Sequence, residues 1–491
     1  MDHLIFKGEG GANIVVQYKN SKNLVQVIRL RKSRLNGMEE LQKAGIDEII
    51  WPELRQQGAS LLSLQSDLQY IKQVLAPFIG SQYIPPQELI NLNNNEVQIY
   101  GAPQGVVMPD VTLLPLPSPP SPPPPSSSPK QQHLPCTICI EIKPKYGSIT
   151  KCNTIHPEEK ELKHSTSRYQ LHQLLKRDQG TISTVSSYDP LDLFSGKTDR
   201  MEKALCSLLE NPQNNLNIFI NGKPVDFVDT SGEGVGITSD QCERCSLDKA
   251  ISAAAAALLE PLNNQSDTTD GTNERNSLAT LLRLILQQEP VLQNISRAQQ
   301  ACHVDIVGIY HLHHLMMLKL NAREERAEET CEEAPLDGSP IISDIVEDGD
   351  NDFRCRDDVQ VYLTAREHRD AIDDVVRLPW KESVETLRSY VIATTAKDCS
   401  IMITMRSNGR RDARNKSKEK EDSSFLAKLQ TEEENGNVVF FEKEEKEGLY
   451  NVEYRISVVD LDRKSTSKIP KHYELDQQII KAAKKQREIQ N

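Results

Sequence analysis

Over residues 4–32 apolar and polar positions alternate as in a hairpin: a glycine-rich turn, the strand Ile14–Tyr18, the turn Lys19–Asn23 and the strand Leu24–Leu30. From residue 37 to 77 leucines recur at amphipathic-helix spacing, with a break at Pro52. Val106–Met108 is a short apolar strand that ends at Pro109–Asp110, and Cys136–Ile142 reads as another strand. Thr166–Arg177 has helical periodicity with Leu171, Leu174 and Leu175 as its buried stripe. Ser389–Met405 and Val452–Val459 read as buried strands, and residues 471–487 as a terminal amphipathic helix.

Composition divides this pattern. Pro115–Pro129 is almost wholly proline and serine and cannot build a core, so 115–131 is expected to be an extended or disordered insert. It separates a small N-terminal lobe, 1–114, from a larger mixed lobe, 132–487. Stretches near 263–277, 322–352 and 406–447 lack a hydrophobic pattern and are expected to be disordered surface loops. A chain of 491 residues with 37% apolar and 26% charged residues suits a folded protein of two or more lobes. No run of 18 uncharged apolar residues occurs, nor a signal-peptide layout, so membrane insertion is not expected and a cytoplasmic or nuclear location is; a monomer is expected as a separate default.

The net charge of −13 argues against a nucleic-acid partner, although an acidic protein can bind an anion where its cations are concentrated. The ten cysteines read as free thiols. Cys136 and Cys139 would point to opposite sheet faces, so no zinc site is expected from that pair.

Four constellations carry candidate chemistry. Gly8-Glu9-Gly10-Gly11-Ala12-Asn13 precedes a strand, a turn and a second strand bearing Arg29. Glycines let backbone N–H groups approach phosphate, and Arg29 stands where protein kinases place lysine; an ordinary glycine-rich turn fits the same residues. In Glu141-Ile142-Lys143-Pro144-Lys145 the charged residues share one strand face and suit an anion site, or a solvated strand end. Arg168, His172 and Lys176 recur every fourth residue on one helix face, a ladder of potential cations spanning about 12 Å. Finally Asp398 lies between two apolar segments, and Asp460 and Asp462 close a strand, with Arg463, Lys464 and Lys468 after them. Phosphoryl transfer needs one carboxylate at the attacking hydroxyl and another at magnesium, although turn or cap roles also suit aspartates here.

Together these strings resemble the inositol-pentakisphosphate 2-kinase family. The likeness covers most of the chain: Gly8–Asn13, Val27-Ile28-Arg29, Glu141–Lys145, Ser167-Arg168-Tyr169 with His172 and Lys176, Tyr188–Gly196, Pro212–Asn215, Ala396–Ile403 and Asp460-Leu461-Asp462. It implies an α+β, two-lobed, protein-kinase-like fold that transfers the γ-phosphate of ATP, with Mg2+, to the inositol 2-hydroxyl, giving inositol hexakisphosphate (phytate). By this analogy Gly10, Gly11, Ala12, Asn13, Arg29, the hinge Pro109, Asp110 and Val111, and Glu141 and Lys143 meet the nucleotide, and Asp460 binds the metal. Asp398 and Lys143 act in catalysis, while Lys145, Arg168, His172, Lys176, Asn214, Asn215, Lys464 and Lys468 hold the substrate.

The chain departs from the family pattern in three places. Asn217 stands where relatives often carry a basic residue, and no arginine occurs between Arg55 and Arg168 to hold substrate from the N-terminal lobe. His311, His313 and His314 lack paired cysteines, so a zinc group like that of plant relatives is not expected. A protein kinase is disfavoured because no Asp-Phe-Gly string appears and no His-Arg-Asp-type catalytic loop does, His368-Arg369-Asp370 lacking the asparagine five positions on. A catalytically weak inositol-phosphate-binding scaffold is the alternative, against which Asp398 and Asp460 are both present.

Overall fold

The computed structural model describes residues 4–9, 13–19, 25–32, 45–54, 61, 63–92, 103–115, 136–149, 151–152, 155, 157–225, 247–259, 272–330, 377–411, 437–442 and 449–490. It is α+β: helices surround two antiparallel sheets. The five-stranded sheet holds β1 (Ile5–Glu9), β2 (Asn13–Lys19), β3 (Val25–Arg31), β4 (Glu88–Asn91) and β5 (Gln104–Pro109), in the order β1-β2-β3-β5-β4. Its buried face carries Val16, Ile28, Leu30 and Val107. Because side chains alternate, Arg29 lies on the opposite face, in register with Val15 and Val106.

The six-stranded sheet adds β6 (Thr137–Ile142), β7 (Leu216–Ile220), β8 (Lys223–Pro224), β9 (Ser400–Arg411), β10 (Asn437–Glu442) and β11 (Leu449–Val459), in the order β10-β11-β9-β6-β7-β8. β6 is covered on both faces, which accounts for its nearly unbroken apolar run: Ile138, Cys139, Ile140 and Ile142 are all buried. The helices Thr198–Glu210, Leu247–Leu259, Thr272–Gln288 and Val291–Gln299 contribute to the large core. A smaller cluster seats the leucine stripe of helix Arg168–Asp178, through Leu171 and Leu175, on Ile479, Ile480 and Ala483 of the terminal helix Ile469–Gln490. Among the described residues no helix is long and apolar enough to cross a membrane.

Several expectations need correction. Residues 389–397 are the end of helix Trp380–Lys397, not a strand. The β-branched run Val391-Ile392-Ala393-Thr394-Thr395 suggests sheet, but burial of Ser383, Leu387, Val391 and Thr395 follows a helical face that tertiary packing selects. The expected loop at 263–277 gives way to helix from Thr272, and that at 322–352 to helix as far as Thr330. Within 406–447, residues to Arg411 continue β9 and Asn437–Glu442 form β10, paired with β11. High charge does not prevent a backbone ladder or a helix from forming. Gly10–Ala12 and the proline–serine insert from residue 116 lie outside the described residues, as do 263–271, 331–352, 412–436 and 443–447.

The string Tyr188–Gly196 supports the segment after β6. Tyr188 is fully buried and its hydroxyl donates to the Pro144 carbonyl at 2.7 Å. Phe194 lies against Gly147 so closely that a Cβ there would sit 2.0 Å from its ring. Gly147→Ala is therefore expected to cost about 1–3 kcal/mol of stability, through displacement of that ring. A denaturant melt of the variant and the parent chain checks this; equal midpoints would contradict the packing described.

Candidate active site

The ends of three adjacent strands, β6, β9 and β11, bring Glu141, Ser400 and Asp460 together. The Ser400 hydroxyl lies 2.7 Å from Glu141 Oε1 and 3.1 Å from Asp460 Oδ2. The Asn217 amide, across from Glu141 on β7, donates to Glu141 Oε2 at 2.8 Å, and Lys143 Nζ stands 4.0 Å from Oε1. Burial and the neighbouring Glu141 carboxylate push Asp460 above the usual carboxylate range, against Lys143, Ser400 and Arg29. Both Asp460 and Lys145 hold a left-handed backbone, φ 61° and 60°. Such strain in non-glycine residues clusters at functional sites.

Beside this cluster, Asp398 caps the helix Trp380–Lys397. Lys464 donates to its Oδ2 at 2.7 Å, and Lys145 Nζ lies 3.9 Å from Oδ1. Burial would raise this carboxyl, but Lys464, Lys145 and Lys143 outweigh it and hold Asp398 below its ordinary range. Lys145 is itself lowered, first by burial and then by Lys143 and Lys176, with Asp398 opposing. The two segments are fixed to each other by the fully buried Gln299. Its amide donates to the carbonyls of Lys145 (2.7 Å) and Ala396 (3.2 Å) and accepts from the Gly147 N–H (3.0 Å).

Ser167 caps the ladder helix, its hydroxyl accepting from the Gln170 N–H. Arg168 is paired with Asp476 of the terminal helix. The second oxygen of Asp476 accepts from Lys163 at 2.9 Å, and Asp305 (2.9 Å) and Glu159 (3.2 Å) also surround Lys163. Arg168 joins Lys145, Lys163, Lys397, Lys464 and Lys468 on the wall of a cavity of about 420 Å³, where the acids are Asp305, Asp398 and Asp476. Its cations thus outnumber its carboxylates two to one. Asn214 is exposed in the turn before β7. Asn215, expected to face substrate, is instead buried: its side-chain amide donates to the Tyr169 hydroxyl at 2.9 Å, and its backbone carbonyl accepts from the Lys143 N–H at 2.8 Å. It joins the ladder helix to the end of β6.

On the five-stranded sheet, Arg29 Nη2 and Asn13 Nδ2 donate to the two oxygens of Asp462, at 2.7 and 3.0 Å. The Asp110 carboxylate is buried and accepts from Lys7, Gln17 (2.8 Å) and the Thr112 N–H and hydroxyl (3.1 and 2.6 Å). The Val111 carbonyl accepts from Thr404. The Asp110 side chain therefore braces the hinge, and Pro109 ends β5 just before it. Ser400, Gln299, Asp476 and Lys163 escape sequence reasoning, as does Lys397, whose ammonium lies 4.0 Å over the Tyr146 ring. Lys397 adjoins Asp398 and could have been suspected; Gln299 and Asp476 gave no local signal.

His172 is not a cation at neutral pH in this arrangement. Burial, then Lys176, Arg168 and Lys145, bring its pKa down to about 4. The folded state therefore refuses a proton that the unfolded chain accepts near pH 6.5, so stability present above that pH falls as pH drops toward 4. His313 and His472, also at about 4, act in the same direction. His172→Gln should lose less melting temperature between pH 6.5 and 4.5 than the parent chain. Parallel pH–stability curves for the two proteins would refute this placement.

A family profile described as inositol-pentakisphosphate 2-kinase matches residues 6–478. An inositol-pentakisphosphate 2-kinase of Arabidopsis thaliana is 24% identical, over 99% of this chain and 94% of its own. That of Danio rerio is 26% identical over 97% and 92%, and inositol-pentakisphosphate 2-kinase IPK1 of Oryza sativa subsp. japonica 23% over 97% and 92%. With the profile spanning both sheets and every strand end described above, the chain belongs to the inositol-pentakisphosphate 2-kinase family of transferases.

Proposed function

We propose that this protein transfers the γ-phosphate of ATP to the 2-hydroxyl of inositol 1,3,4,5,6-pentakisphosphate, giving inositol hexakisphosphate and ADP, within a two-lobed kinase-like architecture. The observation that carries this reading is Asp398, held between Lys464 and Lys145 at a cation-rich cavity and beside the Glu141–Ser400–Asp460 cluster. A polyphosphate needs many cations in one place, and phosphoryl transfer needs a carboxylate where they meet.

The residues divide by side. Arg29, Asn13, Glu141, Lys143 and Asp460 serve the nucleotide; Lys145, Arg168, His172, Lys176, Lys464 and Lys468 serve the inositol phosphates. A metal fits the nucleotide side. One serine proton satisfies only one of the two carboxylates it touches, so Glu141 and Asp460 have acceptor capacity to spare. Among the described residues no group of three or more His, Cys, Asp or Glu could hold a metal alone. That suits magnesium, which binds through one or two carboxylates together with phosphate oxygens. Asp460 would hold it, and when bound it supplies neutralisation of charge on the transferred phosphoryl group.

Asp398 orients the accepting hydroxyl. Its two lysines keep it ionised, and a weakly basic carboxylate suits a loose transition state in which the proton leaves late. Lys145 touches the same carboxylate and can pass from it to a substrate phosphate without leaving the cavity wall. In the protein kinase-like scheme the glycine-rich turn and Arg29 cover the phosphates, while the hinge lies against the adenine.

Incubation with ATP, magnesium and inositol pentakisphosphate should give the hexakisphosphate, with the new phosphate at position 2 by phosphorus NMR. Consumption of ATP with no such product would sink the proposal. Asp398→Asn is expected to lower kcat by about 10³ or more while changing inositol-phosphate affinity little. His172→Ala should instead raise KM for the inositol phosphate roughly tenfold. If the His172 variant changes only the KM for ATP, the division of sides is wrong.

A further inference from the structure

Arg29 needs a carboxylate partner to be useful. A lone guanidinium on a strand can adopt many rotamers, and kinases fix the equivalent lysine with an acid from a neighbouring helix. Here the acid on the neighbouring helix Leu64–Gln69 is Asp67, and it is taken by Arg31, with Arg463 Nε at 3.9 Å. The carboxylate on Arg29 comes from elsewhere: Asp462, beyond the end of β11 in the other sheet.

We infer that Asp462 is a positioning residue for nucleotide binding, holding Arg29 and Asn13 in place from the opposite side of the cleft. Three observations carry it. Both oxygens of Asp462 are used, one on β3 through Arg29 and one on β2 through Asn13, the residue that follows Gly10-Gly11-Ala12 in the sequence. The bond to Asp462 engages one N–H of Arg29, and a guanidinium has four more to offer a phosphate. The pair is largely screened from water, with side-chain exposures of 13% and 23%, so its geometry is better defined than that of a surface ion pair.

The backbone that carries Asp462 is also well fixed. Leu461 is buried in the large core. The Arg463 guanidinium is buried between Asp47 (3.8 Å) and Asp67 and donates to the Leu61 carbonyl at 2.8 Å. Asp462 therefore offers Arg29 a stationary partner. Since Asp460 and Lys464 belong to the same run, Asp462 ties Arg29 to the segment that carries the metal and acceptor groups.

This inference rests on the proposal that nucleotide lies under the glycine-rich turn, and the test separates the two. Binding of ATP with magnesium to the full-length chain is measured by calorimetry, which requires no turnover, alongside the steady-state constants. Asp462→Ala is expected to weaken ATP binding about tenfold and lower kcat, with KM for inositol pentakisphosphate unchanged. A general loss of structure would move both substrates and the melting temperature together. Asp462→Asn, which preserves shape, should weaken ATP binding less, and it carries the test if the alanine variant does not fold. Added to Arg29→Met, Asp462→Ala should cost little more than Arg29→Met alone, because the two residues act as a unit. ATP affinity within twofold of the parent in both Asp462 variants, or a full additional loss on the Arg29→Met background, would overturn the inference. ATP binding by the parent chain without formation of hexakisphosphate would overturn the proposed reaction and leave Asp462 to be judged on the binding data.

Discussion

A single hydroxyl separates two carboxylates at the point where β6, β9 and β11 end. Glu141 and Asp460 reach Ser400 from opposite sides, and like charges so close are tolerated only where cations and amide donors surround them. Asn217 and Lys143 meet that need on the Glu141 side, and Arg29 lends positive charge to Asp460. Much of the local design follows from this arrangement. The backbone is left-handed at Asp460, and again at Lys145, whose ammonium stands 3.9 Å from Asp398.

The cavity presents the opposite problem, an excess of cations within a fold that must be stable before any anion arrives. Its acids address this unevenly. Lys163, enclosed by Glu159, Asp305 and Asp476, is neutralised within the fold. Arg168 shares Asp476, and Lys464 shares Asp398 with Lys145. His172, which is not on the cavity wall, stays neutral beside Lys176, Arg168 and Lys145. The positive charge is therefore partly held in reserve, and an incoming polyanion would meet cations already oriented by carboxylates.

The sequence made legible what depends on local periodicity. Alternation located β2 and β3, a β-branched apolar run located β6, and four-residue spacing located the ladder helix. Glu141, Lys143 and Lys145 stood out because their spacing reads as one strand face, but β6 ends at Ile142 and Lys145 lies beyond it on a left-handed backbone. The misreadings have physical causes. The β-branched run 391–395 is helical because its buried positions recur every four residues, and the charge-rich stretch 322–330 is helical despite its polarity. Asn215 resembled a ligand-facing residue but became a buried brace, because its amide meets Tyr169 across 46 residues. Gln299 and Asp476 were invisible for the same reason: each has meaning only once segments far apart in the chain have packed.

Five consecutive residues from Asp460 to Lys464 answer to five different places: Ser400, the core, Arg29 with Asn13, the Asp47–Asp67 pair, and Asp398. Over evolutionary time such a run puts one destination at risk with each substitution. It cannot absorb an insertion or deletion, which would shift every later side chain to the wrong recipient. Among relatives that share only about a quarter of their residues, differences in chain length should accumulate elsewhere, and this short stretch should keep its spacing even where its letters change.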